Sequence, residues 1–182
     1  MAPINVLALC GSLRTESFNK KLMHQAIQLA PKELEFYLRK IDDIPLYNED
    51  VKNVGFPKSV DQLNQLLFAS DAVLIVTPEY NYSMPGVLKN TIDWLSRYEP
   101  QGFYNKPVAI MGASPGRMGT CRCQYHLRQV MVFLKAWVLN EPEIMVSDAS
   151  RAFDQYGRLV DDRVEKLVQS QMQNLSRMVH RV

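Results

Sequence analysis

Residues Ile4 to Asn19 read INVLALCGSLRTESFN. Val6 to Leu9 is an apolar run, Gly11 follows, and then come Ser12, Thr15, Ser17 and Asn19 with one fixed positive charge at Arg14. An apolar run that stops at a glycine is a strand reaching the end of a sheet. Beyond Asn19 the spacing turns helical, with Leu22, Ala26, Leu29 and Ala30 on one face. The loop therefore lies at a helix N-terminus, where unpaired backbone N–H groups and the helix dipole attract an anion. Ser and Asn also cap helices when no ligand is present. A turn has no use for a guanidinium among the capping hydroxyls, whereas a phosphate does. Neither G-x-G-x-x-G nor G-x-x-x-x-G-K-[ST] occurs here, so the loop is a phosphate loop built on hydroxyls and one Arg.

Working outward, 182 residues with 47% hydrophobic content suffice for one substantial core, and the expectation is a single domain over 1–182. A formal charge of +2, with no Lys/Arg run longer than two, argues against a nucleic-acid face and for small-molecule partners. Cys10, Cys121 and Cys123 are odd in number and contain no C-x-x-C pair, and His24, His126 and His180 lack metal-ligand spacing. No metal site or disulfide is expected, and the thiols read as reduced and structural. No apolar stretch reaches the roughly 20 residues of a membrane span, and the opening Met-Ala-Pro-Ile-Asn lacks a basic leader region, so a cytoplasmic chain is expected.

The first helix should end near Pro31, and Leu34 to Ile41 alternates as a strand does. Residues 42–56 form a long loop rich in Pro, Asp and Asn, whose Ile44, Pro45 and Leu46 resemble a packing segment. A helix from Pro57 to Ser70, with Val60, Leu63, Leu66 and Leu67 inward, precedes Ala72 to Val76, a continuous apolar run typical of a strand buried on both faces. Val108 to Met111 is a second such run, and Ile144 to Val146 a weaker last strand. Leu88, Ile92, Leu95 and Trp94 read as a buried helix face, 122–134 as a helix, and 164–179 as an amphipathic one with Leu167, Val168, Met172 and Leu175 inward. Strands alternating with helices give an α/β doubly wound parallel sheet, five strands in the order 2-1-3-4-5. Ligands of such sheets lie beyond the carboxyl ends of the strands, at the switch point between strands 1 and 3.

Three loops then matter, those after Cys10, Val76 and Met111, and all three are unusual in composition. The second, Thr77-Pro78-Glu79-Tyr80-Asn81-Tyr82-Ser83-Met84-Pro85-Gly86, is stiff and amide-rich, a platform for a flat heteroaromatic. Its tyrosines would serve equally to cover the sheet end. The third, Gly112-Ala113-Ser114-Pro115-Gly116-Arg117-Met118-Gly119-Thr120, has three glycines in nine residues, which permits close backbone approach to a ligand.

Taken together, GSLRTESFN at 11–19, PEYNYSMPGVLKNTIDWLSR at 78–97 and GASPGRMGTCRCQYHLRQ at 112–129 resemble the NAD(P)H-dependent FMN reductase family on the flavodoxin-like fold, and within it the bacterial quinone and chromate reductases. The resemblance runs across nearly the whole chain. It implies that Ser12, Arg14, Ser17 and Asn19 hold the FMN phosphate, and that Pro78, Glu79, Tyr80 and Asn81 line the isoalloxazine and ribityl chain. Ser83 and the loop of Ser114 and Gly116 would complete the pocket. The family often has Gly-Gly where this chain has Gly119-Thr120. The implied activity passes electrons from NADPH or NADH through FMN to a small-molecule acceptor such as a quinone, chromate, an azo compound or free flavin. No side chain is assigned as general acid or base. Homodimers or homotetramers are implied, with Arg122 and Tyr125 beside a neighbouring subunit and Tyr82 at the same rim. Arg117, Arg122 and Arg128 near the mouth suit an anionic nicotinamide cofactor better than a basic docking partner. The competing reading is a flavodoxin-type electron carrier that does not oxidise nicotinamide, and a flavin-free domain on the same fold is a third.

Overall fold

The computed structural model describes residues 2–181. Its elements run β1 (Ile4–Cys10), α1 (Phe18–Leu29), β2 (Leu34–Arg39), α2 (Glu49–Val54), α3 (Lys58–Ala69), β3 (Ala72–Val76), α4 (Gly86–Leu95), β4 (Pro107–Ala113), α5 (Cys121–Phe133), β5 (Trp137–Val138), β6 (Ile144–Val146), α6 (Ala149–Ala152) and α7 (Asp162–Val179). The sheet is parallel throughout, ordered β2-β1-β3-β4-β5, with β6 also paired to β4. This is the doubly wound order read from the sequence.

Side-chain alternation along the inner strands builds two cores. Val6, Ala8, Ala72, Leu74, Ala109 and Met111 pack on the side of α1 and α7. Leu7, Leu9, Val73, Ile75, Val108 and Ile110 pack on the side of α3, α4 and α5. Both faces of β3 and β4 are covered, so all their residues are buried. That is why these strands read as continuous apolar runs without alternation.

Three details differ from the sequence reading. The fifth sheet position is split: β5 pairs with Pro107 and Val108 and β6 with Met111 to Ala113, making six strands where five were expected. The connection between them is held by amides, Gln171 Nε2 donating to the carbonyls of Ile110 and Pro142, and Asn174 Nδ2 to that of Glu141. The long loop 42–56 contains α2, capped by the Asn48 side chain accepting from the Asp50 N–H. Leu167 is 45% exposed, because the buried stripe of α7 steps through Val168, Met172 and Leu175 and leaves Leu167 one residue off it.

Of the expected packing segment only Ile44 is buried, and Leu46 stands 84% exposed; the segment is tied down through its backbone, Trp94 Nε1 and Asn90 Nδ2 both donating to the Pro45 carbonyl at 2.8 Å, with Trp94 fully buried. Lys106 reaches under α3 and donates to the carbonyls of Leu67 and Ser70, while the Ser70 hydroxyl donates to the Leu66 carbonyl at 2.7 Å, so side chains satisfy the end of this helix. Among the described residues no helix is long and apolar enough to cross a membrane.

Candidate flavin site

The loops after β1, β3 and β4 converge at the carboxyl ends of adjacent strands. Asn19 locks the first to the third: its Nδ2 donates to the Ala113 carbonyl at 2.9 Å and its Oδ1 accepts the Ala113 N–H at 2.8 Å. Both ends of the carboxamide are thus engaged with backbone. Ser17 caps α1, its Oγ accepting from the N–H groups of Asn19 and Lys20 at 3.2 and 3.4 Å, and its own hydroxyl proton remains to donate.

A small hollow of about 70 Å³ lies between the loops. Ser12, Arg14, Ser17 and Asn19 border it on one side, Pro78, Glu79 and Tyr80 on the other, and Ser114 closes the third. Phe18, Ala113 and Pro115 line it as well, residues that sequence reading passed over because nothing in their type points to a ligand. Ser12 is 3% exposed, and its hydroxyl has no hydrogen-bond partner among the described residues. Arg14 is exposed and has no carboxylate partner among them. The Ser12 hydroxyl at the edge of the hollow, the Arg14 guanidinium without a carboxylate partner and the start of α1 form a donor set that suits a phosphate dianion. The residues present therefore fit the phosphate of FMN.

Asn81, Ser83 and Gly116 lie off this hollow. Asn81 and Tyr82 are the central pair of a two-residue turn: Tyr80 N–H donates to the Ser83 carbonyl at 2.9 Å, and Ser83 N–H to that of Tyr80 at 3.0 Å. Their φ angles are 51° and 67°. Two positive φ values in a row ordinarily call for Asn-Gly, so a tyrosine at the second position stores strain of order 1 kcal/mol.

The first turns of α5 hold that strained turn in place. The Arg122 guanidinium stands 4.1 Å over the Tyr82 ring, and Ser83 Oγ lies 2.8 Å from His126 Nδ1. Glu79, its side chain 10% exposed, accepts the Cys123 N–H at 2.9 Å and lies 3.6 Å from Arg122. Thr120, the cap residue of α5, makes no side-chain cap bond. Glu79 caps this helix from another loop, so its carboxylate fixes the platform to α5. Sequence reading missed the clasp because its partners lie 44 residues apart.

The three glycines of the last loop have different reasons. A Cβ at Gly112 would stand 2.3 Å from both Thr120 Oγ1 and the Thr77 carbonyl oxygen. Gly119 sits at φ +56°, with the Met145 carbonyl carbon 2.9 Å from where its Cβ would be. Only Gly116 is open, its nearest such contact being Ser114 Oγ at 3.7 Å. Thr120, the departure from Gly-Gly, is fully buried; its hydroxyl accepts from Gln124 Nε2 at 2.9 Å, and the side chain points into the fold. The arginines of this region are also unequal: Arg128 lies 3.9 Å from Glu143 and donates a long 3.4 Å bond to Asn140, Arg122 belongs to the clasp, and Arg117 has no carboxylate partner among the described residues.

The three cysteines are free. Cys123 is fully buried, and burial pushes its thiol from 9.0 up to about 12, with the nearby Glu79 charge adding to the rise. A raised folded pKa means that this thiol's contribution to stability is complete below the pKa of the unfolded thiol and is lost as pH climbs toward 12. At pH 8, iodoacetamide is expected to leave Cys123 unlabelled until denaturant is added; peptide mapping that finds it modified in the folded protein contradicts this placement.

A doubly wound parallel sheet in the order 2-1-3-4-5, with a hydroxyl-and-Arg loop and a tyrosine-rich turn converging at its switch point, defines the flavodoxin-like class. A model of the family described as NADPH-dependent FMN reductase matches residues 4–151. The NAD(P)H-dependent FMN reductase of Pseudomonas aeruginosa is 52% identical over 179 residues, covering 98% of this chain and 97% of that protein. A quinone reductase of Escherichia coli is 44% identical over 182 residues, covering 98% and 97%. Among solved structures, the flavoenzyme NAD(P)H:(acceptor) oxidoreductase FerB of Paracoccus denitrificans superposes with a TM-score of 0.90 at 35% identity, covering 98% of each chain. The chain belongs to the NADPH-dependent FMN reductase family. It is a flavin-dependent oxidoreductase whose cofactors are FMN and NAD(P)H.

Proposed function

We propose that this chain, acting as one FMN-binding domain, oxidises NADPH or NADH and delivers two electrons through FMN to a quinone or an oxidised metal anion. The observation that carries the reading is the convergence of three loops, which sets Ser12, Arg14 and Ser17 at one end of a hollow and Pro78 to Tyr80 at the other. Bound FMN supplies hydride acceptance from a nicotinamide and release of electrons to a second substrate. The protein's part is placement: Ser12, Arg14 and Ser17 bind the phosphate, the Tyr80 to Ser83 turn faces the ring with Asn81 at its tip, and Glu79 fixes that turn to α5. Ser114 forms the third wall, and Gly116 beyond it completes the loop. Arg117 attracts anionic substrates in a salt-dependent way.

A pocket open enough for nicotinamide to stack is open to a flat quinone, so the two substrates use one site in turn. Steady-state oxidation of NADPH with a quinone should give parallel double-reciprocal lines. An FMN-loaded protein that leaves NADPH untouched would move the assignment to an electron carrier.

Assembly as a homodimer or homotetramer in the cytoplasm belongs to the same reading. Val132 and Phe133 near the end of α5 are 76% and 80% exposed, and Tyr125, 53% exposed, lies one turn from Arg122, which stacks on Tyr82. Sedimentation at micromolar concentration is expected to show two or four chains per particle; a monomer overturns this part of the reading.

A further inference from the structure

We propose that the groove between α1 and the edge strand β2 is a second small-molecule site, one that takes a planar aromatic ring carrying an anionic group. The groove encloses about 480 Å³, within the range of ligand pockets, and lies on the opposite side of the first loop from the flavin hollow. Its floor is apolar. Ala8 and Met23 are buried there, and Leu38, paired across the strands with Ala8, remains 49% exposed because β2 is the sheet's edge. A leucine half in water beside a helix flank makes a slot for a flat ring.

The rim supplies the charge. Lys20 and His24 come from α1, Arg39 and Lys40 from the end of β2, and Asp42 is the one carboxylate among the lining residues. Arg39 is already engaged, its Nη2 2.7 Å from Asp43 and its Nη1 donating to the Lys40 carbonyl. Lys20 donates only a long 3.4 Å bond to the Leu13 carbonyl. Lys20 and Lys40 are thus left to meet an anion at the mouth of an apolar slot, a pairing that selects against neutral and cationic rings. Ser12 borders both the groove and the flavin hollow, so any effect of one occupant on the other's affinity would run through this residue and be equal in both directions.

The test uses the full chain saturated with FMN, and since the face of the flavin stays open to flat aromatics, the groove variants Leu38→Asp/Lys40→Glu and Lys40→Glu assign the binding to the groove. Calorimetric titration with 2-naphthalenesulfonate is expected to show one saturable site per chain, weakening as salt rises. The neutral 2-naphthalenemethanol should bind roughly tenfold more weakly, as should the sulfonate to a Leu38→Asp/Lys40→Glu double variant. Lys52→Glu, on α2 and outside the groove, should leave binding unchanged. Lys40→Glu alone, at an exposed position, carries the test if the double variant does not fold. Displacement of the probe by adenosine 2′,5′-bisphosphate assigns the groove to the phosphoadenosine end of a nicotinamide cofactor, and its failure to displace assigns it to a separate aromatic acid. Absence of saturable binding, equal affinity for the alcohol, or an unaltered affinity in the variants overturns the proposal. Because the readout is heat of binding, none of these outcomes depends on whether the protein reduces quinones.

Discussion

Gly112→Ala is expected to destabilise the protein by roughly 3 kcal/mol, the upper end of what overpacking a closed interior costs. The backbone at Gly112 needs no special φ, so the effect comes from space alone. A methyl group there would stand 2.3 Å from Thr120 Oγ1 and 2.3 Å from the Thr77 carbonyl oxygen, with Thr120 Cγ2 at 2.9 Å. The threonine side chain is fully buried and bonded to Gln124, and the carbonyl is main chain at the end of β3. Neither gives way easily. Thr120→Ala added to Gly112→Ala removes one obstacle and leaves the other, so the double variant should regain part of the loss. Gly116→Ala, with 3.7 Å to its nearest neighbour, should stay within about 0.5 kcal/mol of the parent. Denaturant unfolding midpoints measure all three. An unchanged midpoint for Gly112→Ala would mean that the second and third loops are not packed as described.

The fold was legible where burial leaves a one-dimensional trace. β3 and β4 are covered on both faces and read as unbroken apolar runs, and the glycine ending the first run marked the loop that follows β1. β5 left no such trace. It is two residues long, Trp137 is 48% exposed, and it exists because Lys106 and Val108 present partners at the sheet edge. Leu167 was misplaced for a related reason: an apolar residue beside the stripe of α7 looks the same in sequence as one on it.

The site was legible as composition and not as connectivity. Hydroxyls with one Arg in the first loop announce an anion whatever the rest of the chain does. What the side chains do with one another was hidden. Asn19 reads as a phosphate ligand, yet it binds Ala113, 94 residues away, and so acts as the bolt between two loops. Glu79 reads as a residue lining the flavin, and its carboxylate also caps α5 by accepting the Cys123 N–H. In the third loop, glycines that read as room for a ligand are demanded at 112 and 119 by the fold itself. Polar side chains in loops recruit partners by folding in space, and the spacing of letters carries no record of those distances.

Arg14→Ala should weaken FMN binding by roughly 1.5 to 3 kcal/mol, the range for a hydrogen bond to a charged group, or about 10- to 150-fold in Kd. Arg14 is exposed and without a carboxylate partner among the described residues, so removing it leaves no buried charge behind and breaks no internal ion pair. The loss therefore reports what the guanidinium does for the ligand. Riboflavin, which has the same ring and ribityl chain but no phosphate, should bind the variant about as well as the parent. The FMN deficit should also shrink as salt rises, since an exposed cation is screened within roughly 10 Å at 0.1 M ionic strength. Arg14→Lys should recover part of the affinity through charge while lacking the fork that grips two oxygens. Fluorescence titration of the apoprotein with both ligands settles the role. If FMN and riboflavin lose affinity equally, Arg14 shapes the loop and the phosphate is held by Ser12, Ser17 and the N-terminus of α1 alone.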